Sequence, residues 1–316
     1  MPRVRIRAAQ ASDRADVAAI CGAIWPEDDD YVPKTWDDWL ADPDGELVVA
    51  EWEGRVVGFA KLTHLTDEQW WLEGLRVAPE HQRRGIAGEL QAHLVEVLRQ
   101  KRPGTLRFAT HSGNEPVHRL AARDGFRHVA TYRLLEAEAA DAARTAPLRR
   151  LGEADLDTAW NLIEASPRRR AAEGLYETFW SWETLTRERL THHLSRGDAW
   201  GIDAGERLAA LALVCQTDKE DAIDLGYVDG RRDEMETHLL SLRGLAARRG
   251  CDKVRLRAVD EPELIRAAEG AGYEPSWERD LWIFELSHHL PSGQGIGDGG
   301  VRRQGLRRAE AQANSK

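Results

Sequence analysis

The chain has 316 residues, 42% hydrophobic and 31% charged, with a formal net charge of −10. That is a length for two packed domains rather than one, and an acidic balance excludes a non-specific binder of nucleic acid or anionic membrane, which needs a basic face. No apolar run of about 18 residues is present to span a bilayer.

The first residues, MPRVRIRAAQ, lack the apolar centre of a secretory signal. Cys21, Cys215 and Cys251 are scattered without metal spacing, which predicts reduced thiols and a cytoplasmic protein. In chain order, the first half predicts strands near residues 3–7, 46–51, 55–65, 69–77, 105–110 and 127–135. Helices are predicted near 13–24, 34–41, 85–101 and 115–124. Such mixed alternation predicts an α/β fold with one mixed, twisted sheet and helices on both faces.

The stretch 72–90, LEGLRVAPEHQRRGIAGEL, carries the most chemistry. An apolar strand ends at Val77-Ala78-Pro79, a polar loop follows, and Ile86, Leu90, Leu94 and Val97 then recur at helical spacing. The first N–H groups of a helix lack internal partners and face partial positive charge. Gly85 and Gly88 let backbone approach a ligand, and Arg83 and Arg84 add full charges. The expectation is a phosphate or pyrophosphate site. It is neither a Walker loop nor a dinucleotide fingerprint, since Gly-Lys-Ser/Thr and G-x-G-x-x-G are both absent.

The chain repeats itself at long offset, as in a duplicated domain. Arg5-Ile6-Arg7 with Ala11-Ser12-Asp13 is echoed by Leu148-Arg149-Arg150 with Glu153-Ala154-Asp155. The Gly125-Phe126 pair is echoed by Gly272-Tyr273. The expected domains are 1–136 and 148–287, with a linker at 137–147 and a disordered tail at 288–316. Within the second half, residues 176–182 are expected to form a Trp-rich helix. Its counterpart of the phosphate loop carries Glu234 and Glu236, which repel a pyrophosphate. That copy is expected to keep the fold and lose the ligand. His192-His193 and His288-His289 are adjacent pairs without framing ligands, so no metal site is expected.

Gln82-Arg83-Arg84-Gly85-Ile86-Ala87, coupled to Val77-Ala78-Pro79, resembles the acetyl-CoA signature of the GNAT N-acetyltransferase superfamily. The resemblance implies two tandem GNAT folds, the second degenerate. It implies an N-acetyltransferase that moves acetyl directly from acetyl-CoA, as co-substrate and without metal, to a small amine or amino acid. Gln82, Arg83, Arg84, Gly85, Ile86, Ala87 and Gly88 would hold the pyrophosphate. Leu75, Arg76 and Val77 would align the thioester, and Asn114 would contact the pantetheine arm or the thioester. Glu73 is the candidate base, expected by strand alternation to share a face with Trp71, Leu75 and Val77. The family's usual acid, a tyrosine seven residues after the asparagine, is replaced by Ala121, which leaves His118 or no acid at all. Trp36, Trp39 and Trp71 are candidate acceptor residues, whereas residues 28–30 are read as a solvated acidic loop. The string LEGLRVAP also resembles a GNAT subgroup related to vertebrate histidine N-acetyltransferases, which points to a free amino acid or small amine. The alternatives are a non-catalytic acyl-CoA sensor and a transferase of a longer acyl group. A small-molecule acceptor, no nucleic-acid or membrane partner, and a monomer or homodimer complete the reading.

Overall fold

The computed structural model describes residues 4–26, 30–66, 68–101, 104–140, 146–215 and 221–288. Asp28, Asp29, His289, part of the 137–147 linker and nearly all of the 288–316 tail lie outside the described residues.

The chain runs β1 (Arg5–Ala8), α1 (Arg14–Ile24), α2 (Val32–Ala41), β2 (Glu46–Trp52), β3 (Arg55–Thr66), β4 (Gln69–Val77), α3 (Ile86–Lys101), β5 (Gly104–His111), α4 (Glu115–Arg123) and β6 (Arg127–Glu138). It continues through β7 (Arg149–Arg150), α5 (Leu156–Glu164), α6 (Pro167–Ala171), β8 (Leu175–Thr178), β9 (Ser181–Thr184), α7 (Arg187–Arg196), β10 (Ala199–Ala204) and β11 (Arg207–Cys215). Last come β12 (Ala222–Gly230), α8 (Arg232–Arg249), β13 (Lys253–Val259), α9 (Pro262–Gly270), β14 (Glu274–Pro275) and β15 (Leu281–His288). The fold is mixed α/β, and the elements of the first half fall within a few residues of their expected bounds. Among the described residues no helix is long and apolar enough to cross a membrane.

Two compact units result. Of the described residues, the first takes those up to Phe108, 116–127 and 285–288; the second takes 109–115 and 128–284. In the first, β1 to β4 form an antiparallel meander, and β4 pairs in parallel with β5 through Trp70↔Leu106. One sheet face packs Val49, Val56 and Phe59 against Val17, Ile20 and Cys21 of α1 and Val32, Trp36 and Trp39 of α2. On α3, Leu90, Leu94 and Leu98 are fully buried at a spacing of four. Truncating such a leucine costs about 2–5 kcal/mol, far above the few tenths that separate helix propensities. Packing of this face therefore dominates the stability of α3.

In the second unit β10, β11 and β12 are antiparallel and β12 pairs in parallel with β13. Beyond β13 lies β6, antiparallel through Leu135↔Leu256. Thus the strand that ends the first sequence repeat belongs to the second unit, while Glu285 of β15 lies in the first, ion-paired to Arg107 of β5 at 2.9 Å. Duplication is visible in single side chains. Arg7 bridges Asp13 and Glu51, and Arg149 bridges Asp155 and Asp203. In both copies the aspartate also accepts a backbone N–H three residues earlier, from Gln10 and from Gly152.

The expected helix at 176–182 is instead the hairpin β8–β9, paired Tyr176↔Glu183 and Glu177↔Trp182. Its sequence, Tyr-Glu-Thr-Phe-Trp-Ser-Trp, is rich in aromatic and β-branched residues, which fit a pleated surface better than a helix. The two turn residues, Phe179 and Trp180, are left-handed at φ +54 and +63. Glu177 holds the turn by accepting the Trp180 N–H.

Candidate active site

The site of the first unit is built on β4 and the connection to α3. Opposite β4, Lys61 faces Glu73, but Phe59 faces Arg76, so β4 carries one extra residue across this interval. The bulge centres on Gly74, at φ +66. A Cβ built there would lie 2.5 Å from Cη2 of Trp39, so the indole occupies the space a side chain would need. Across the bulge the alternation slips. Phe59, Lys61 and Thr63 share one face of β3, so their partners Arg76, Glu73 and Trp71 share one face of β4. Val77 pairs with Gly58 on the opposite face. The expected company of Glu73 is therefore corrected: it keeps Trp71, loses Val77 and gains the Arg76 side chain.

Glu73 Oε1 accepts from Thr63 Oγ1. Arg76 donates from Nε to Asp30 Oδ2 at 3.1 Å and from Nη2 to Asp30 Oδ1 at 3.3 Å. Its guanidinium also lies over Trp25, 4.5 Å from the ring centroid, and 5.7 Å from that of Tyr31. Asp30 is buried and accepts the Val32 N–H, so it is not part of a solvated acidic loop. The Asp30 carboxylate, after burial itself, helps push the Cys21 thiol up to about 12. Burial raises the Tyr31 phenol above its ordinary range, with further pressure from Glu73 and Asp30, so it stays a protonated donor at neutral pH. Tyr31 meets Trp39 edge-on at 5.9 Å. Trp36 is fully buried against Phe59 at 6.3 Å, Trp71 is buried on β4, and both indoles lie within the packed interior.

Between β4 and α3 runs a loop with a 3₁₀ turn at Pro79–His81. Gln82, Arg83, Arg84 and Gly85 are exposed, and Ile86 is buried at the helix start. Arg83 and Gly85 are left-handed at φ +61 and +87. Gln82 Nε2 donates to Val77 O at 3.2 Å and Arg84 Nη2 to Glu80 O at 3.1 Å, so both side chains brace the loop. Among the described residues the Arg83 guanidinium makes no ion pair. A Cβ at Gly85 would meet nothing within 4 Å, whereas one at Gly88 would meet the Arg123 guanidinium at 2.7 Å. Open space above Gly85, followed by the unpartnered first N–H groups of Ile86, Ala87 and Gly88, is the geometry of an anion cradle.

His118 lies half-buried on α4, and Ala121 is fully buried on the same helix. Asn114 falls in the second unit, where its Nδ2 donates to Thr110 Oγ1 at 2.9 Å. Sequence reasoning missed the Arg76 side chain, Asp30 and Thr63. Their partners are remote in sequence, and only Gly74 inside a strand pattern signalled the bulge.

The second unit lacks the loop. Strand β12 ends at Gly230 and α8 begins at Arg232, leaving Arg231 alone between them. At that corner the buried Arg168 donates to Asp229 Oδ1 from Nε at 2.9 Å and from Nη2 at 2.8 Å, and from Nη2 also to Gly230 O at 2.7 Å. Met235 is fully buried and Glu234 pairs with Arg207 at 2.7 Å. His193 is half-buried with Nε2 3.1 Å from the Tyr176 hydroxyl. Among the described residues no cluster of three or more His, Cys, Asp or Glu could hold a metal ion.

Residues 13–126 match the Acetyltransferase (GNAT) family. The chain is 36% identical over 90 residues to "Probable N-acetyltransferase 16" of Homo sapiens, covering 28% of this chain and 24% of that protein. It is 35% identical over 75 residues to the histidine N-acetyltransferase of Xenopus tropicalis, covering 23% of each. It thus spans about a quarter of the length of the curated relatives it matches. Among solved structures it resembles a GCN5-related N-acetyltransferase from Sphaerobacter thermophilus, at 18% identity and TM-score 0.62, over 91% of this chain and 96% of that one. It also resembles a tandem GNAT protein from the clavulanic acid biosynthesis pathway, at 17% identity and TM-score 0.53, over 92% and 100%. Residues 13–126 thus match the GNAT acetyltransferase family, and the chain as a whole shares the fold of solved GNAT structures.

Proposed function

We propose that the first unit is an acetyl-CoA-dependent N-acetyltransferase acting on a small amine or amino acid. The observation that carries this reading is the open, amide-lined cradle of residues 82–88 at the end of a bulged strand that also presents Glu73. The cradle holds the CoA pyrophosphate, with Arg83 as an exposed counter-charge and Leu75 to Val77 beside the thioester. Glu73 takes a proton from the ammonium, which is otherwise charged at neutral pH. The amine nitrogen then bonds to the thioester carbonyl carbon, whose oxygen gains charge and needs an N–H donor. The C–S bond breaks, and the thiolate leaves and collects a proton. A thiol near pKa 8.5 leaves tolerably without an acid, which fits a buried Ala121 at the usual tyrosine position. The names of the relatives, histidine N-acetyltransferase among them, support an amino-acid acceptor.

Ala121 also supports a second reading, a sensor that binds acyl-CoA without turnover. Calorimetry with acetyl-CoA, followed by thiol release against an amine and amino-acid panel, separates the two. One site per chain with turnover is the expected result. Binding without turnover on any acceptor favours the sensor, and faster turnover with longer acyl groups corrects the donor.

A further inference from the structure

Building on that acyltransferase reading, we infer that the acceptor is an α-amino acid bound as a zwitterion, its carboxylate on the free edge of the Arg76 guanidinium and its amine at Glu73. The bulge at Gly74 is what sets a carboxylate and a guanidinium on one face of β4, where strict alternation would have parted them. Both act electrostatically on the Tyr31 phenol, so they share one neighbourhood.

A guanidinium offers a side edge, Nε with one Nη, and an end edge, Nη1 with Nη2. Asp30 takes the side edge of Arg76. At the end edge, Nη1 makes a long 3.4 Å contact with Leu75 O, and the guanidinium also hydrogen-bonds the Tyr31 phenol. A second carboxylate at that edge would accept from the terminal nitrogens beside the Tyr31 hydroxyl, which can itself donate to it. The arginine is fixed in advance from two sides, by the buried Asp30 and by the Trp25 ring. Such preorganisation lowers the entropy cost of binding. Its side chain is 15% exposed, and of the aromatics beside it Trp25 is 38% exposed and Tyr31 43% over the whole residue, although its hydroxyl end is enclosed. A pair serving stability alone has no need of exposed rings around it. The protein's charge of −10 disfavours an anionic ligand at long range, so carboxylate recognition requires a fixed local cation, and Arg76 supplies one.

The test compares matched pairs, histidine with histamine and phenylalanine with phenethylamine, by acetyl-CoA-dependent thiol release. A charge-assisted contact contributes about 1.5–3 kcal/mol, or roughly 10- to 150-fold. The wild type is therefore expected to favour each amino acid over its amine by about that ratio in kcat/KM. In Arg76→Gln the ratio collapses toward one, with the change carried by KM of the amino acid. Because that variant leaves Asp30 buried without its partner, Asp30→Asn/Arg76→Gln is measured beside it and is expected to show the same collapse. A wild-type ratio near one, or variants in which both members of a pair fall together at an unchanged ratio, would overturn the inference. CoA binding with no turnover on any of the four compounds would instead sink the acyltransferase reading, and this inference with it.

Discussion

At Gly74 two independent demands meet: a left-handed backbone at φ +66 and a neighbouring ring 2.5 Å from where a methyl would sit. Gly54 shares the first demand, at φ +78, but has nothing within 4 Å. Gly54→Ala should therefore cost only the conformational part, about 1 kcal/mol. Gly74→Ala should add displacement of Trp39 and cost about 2–4 kcal/mol, with turnover falling as Glu73 and Arg76 lose their common face. Denaturant melts of the two variants check this, and equal losses would mean that Trp39 yields freely. Glu73→Gln tests the base directly. Turnover should drop about 100-fold or more near neutral pH, with the deficit shrinking as pH approaches the pKa of the acceptor amine. CoA affinity should hold; a loss of CoA binding would make Glu73 a structural group.

Residues 78–85 separate strand from helix in the first copy, against Arg231 alone in the second, and this accounts for the expected difference in ligand binding between the copies. Gly85→Glu puts a carboxylate into the cradle at φ +87 and should abolish acetyl-CoA binding, read by calorimetry. The matching control is Arg231→Glu, exposed at the start of α8, which should leave the stoichiometry at one per chain. Met235, opposite Gly85 by sequence alignment, is a poor control because it is fully buried. This loop was legible because everything it needs is local: strand, breaker, glycines and helix periodicity fall within residues 72–90. The bulge was not, since it depends on a tryptophan that arrives from α2. Nor was the Arg76–Asp30 pair, 46 residues apart. The hairpin at 175–184 was misread because an aromatic run of that length satisfies either period until its turn is seen. The membership of β6 in the second unit leaves no local trace, since either copy's final strand has the same apolar alternation.

Across the whole chain the same clamp, an arginine bridging two carboxylates, fastens the first strand of each copy. Arg7 and Arg149 hold Asp13 and Asp155 below the ordinary carboxylate range. Those contributions are present above the unfolded carboxylate pKa and are lost as pH falls through the depressed folded values. A different group governs milder acid. His238 is fully buried on α8, and neither ring nitrogen has a partner among the described residues. Burial alone pushes it down to about 3, from an ordinary 6.5. His193 follows, pushed down to about 4 by burial first and by His192 and nearby arginines after it. Between pH 6.5 and these values the unfolded chain binds protons that the folded chain refuses, so stability rises with pH across that window. A tenfold loss of proton affinity on folding corresponds to about 1.4 kcal/mol, which makes His238 responsible for several kcal/mol of acid sensitivity. His238→Leu should therefore raise the melting temperature at pH 7.5 by removing an unsatisfied buried polar group. It should raise it further at pH 4.5, where the wild type must exclude a proton and the variant need not. Thermal melts at the two pH values decide the matter. A gain that is equal at both would show that His238 is already paired in solution and does not titrate with unfolding.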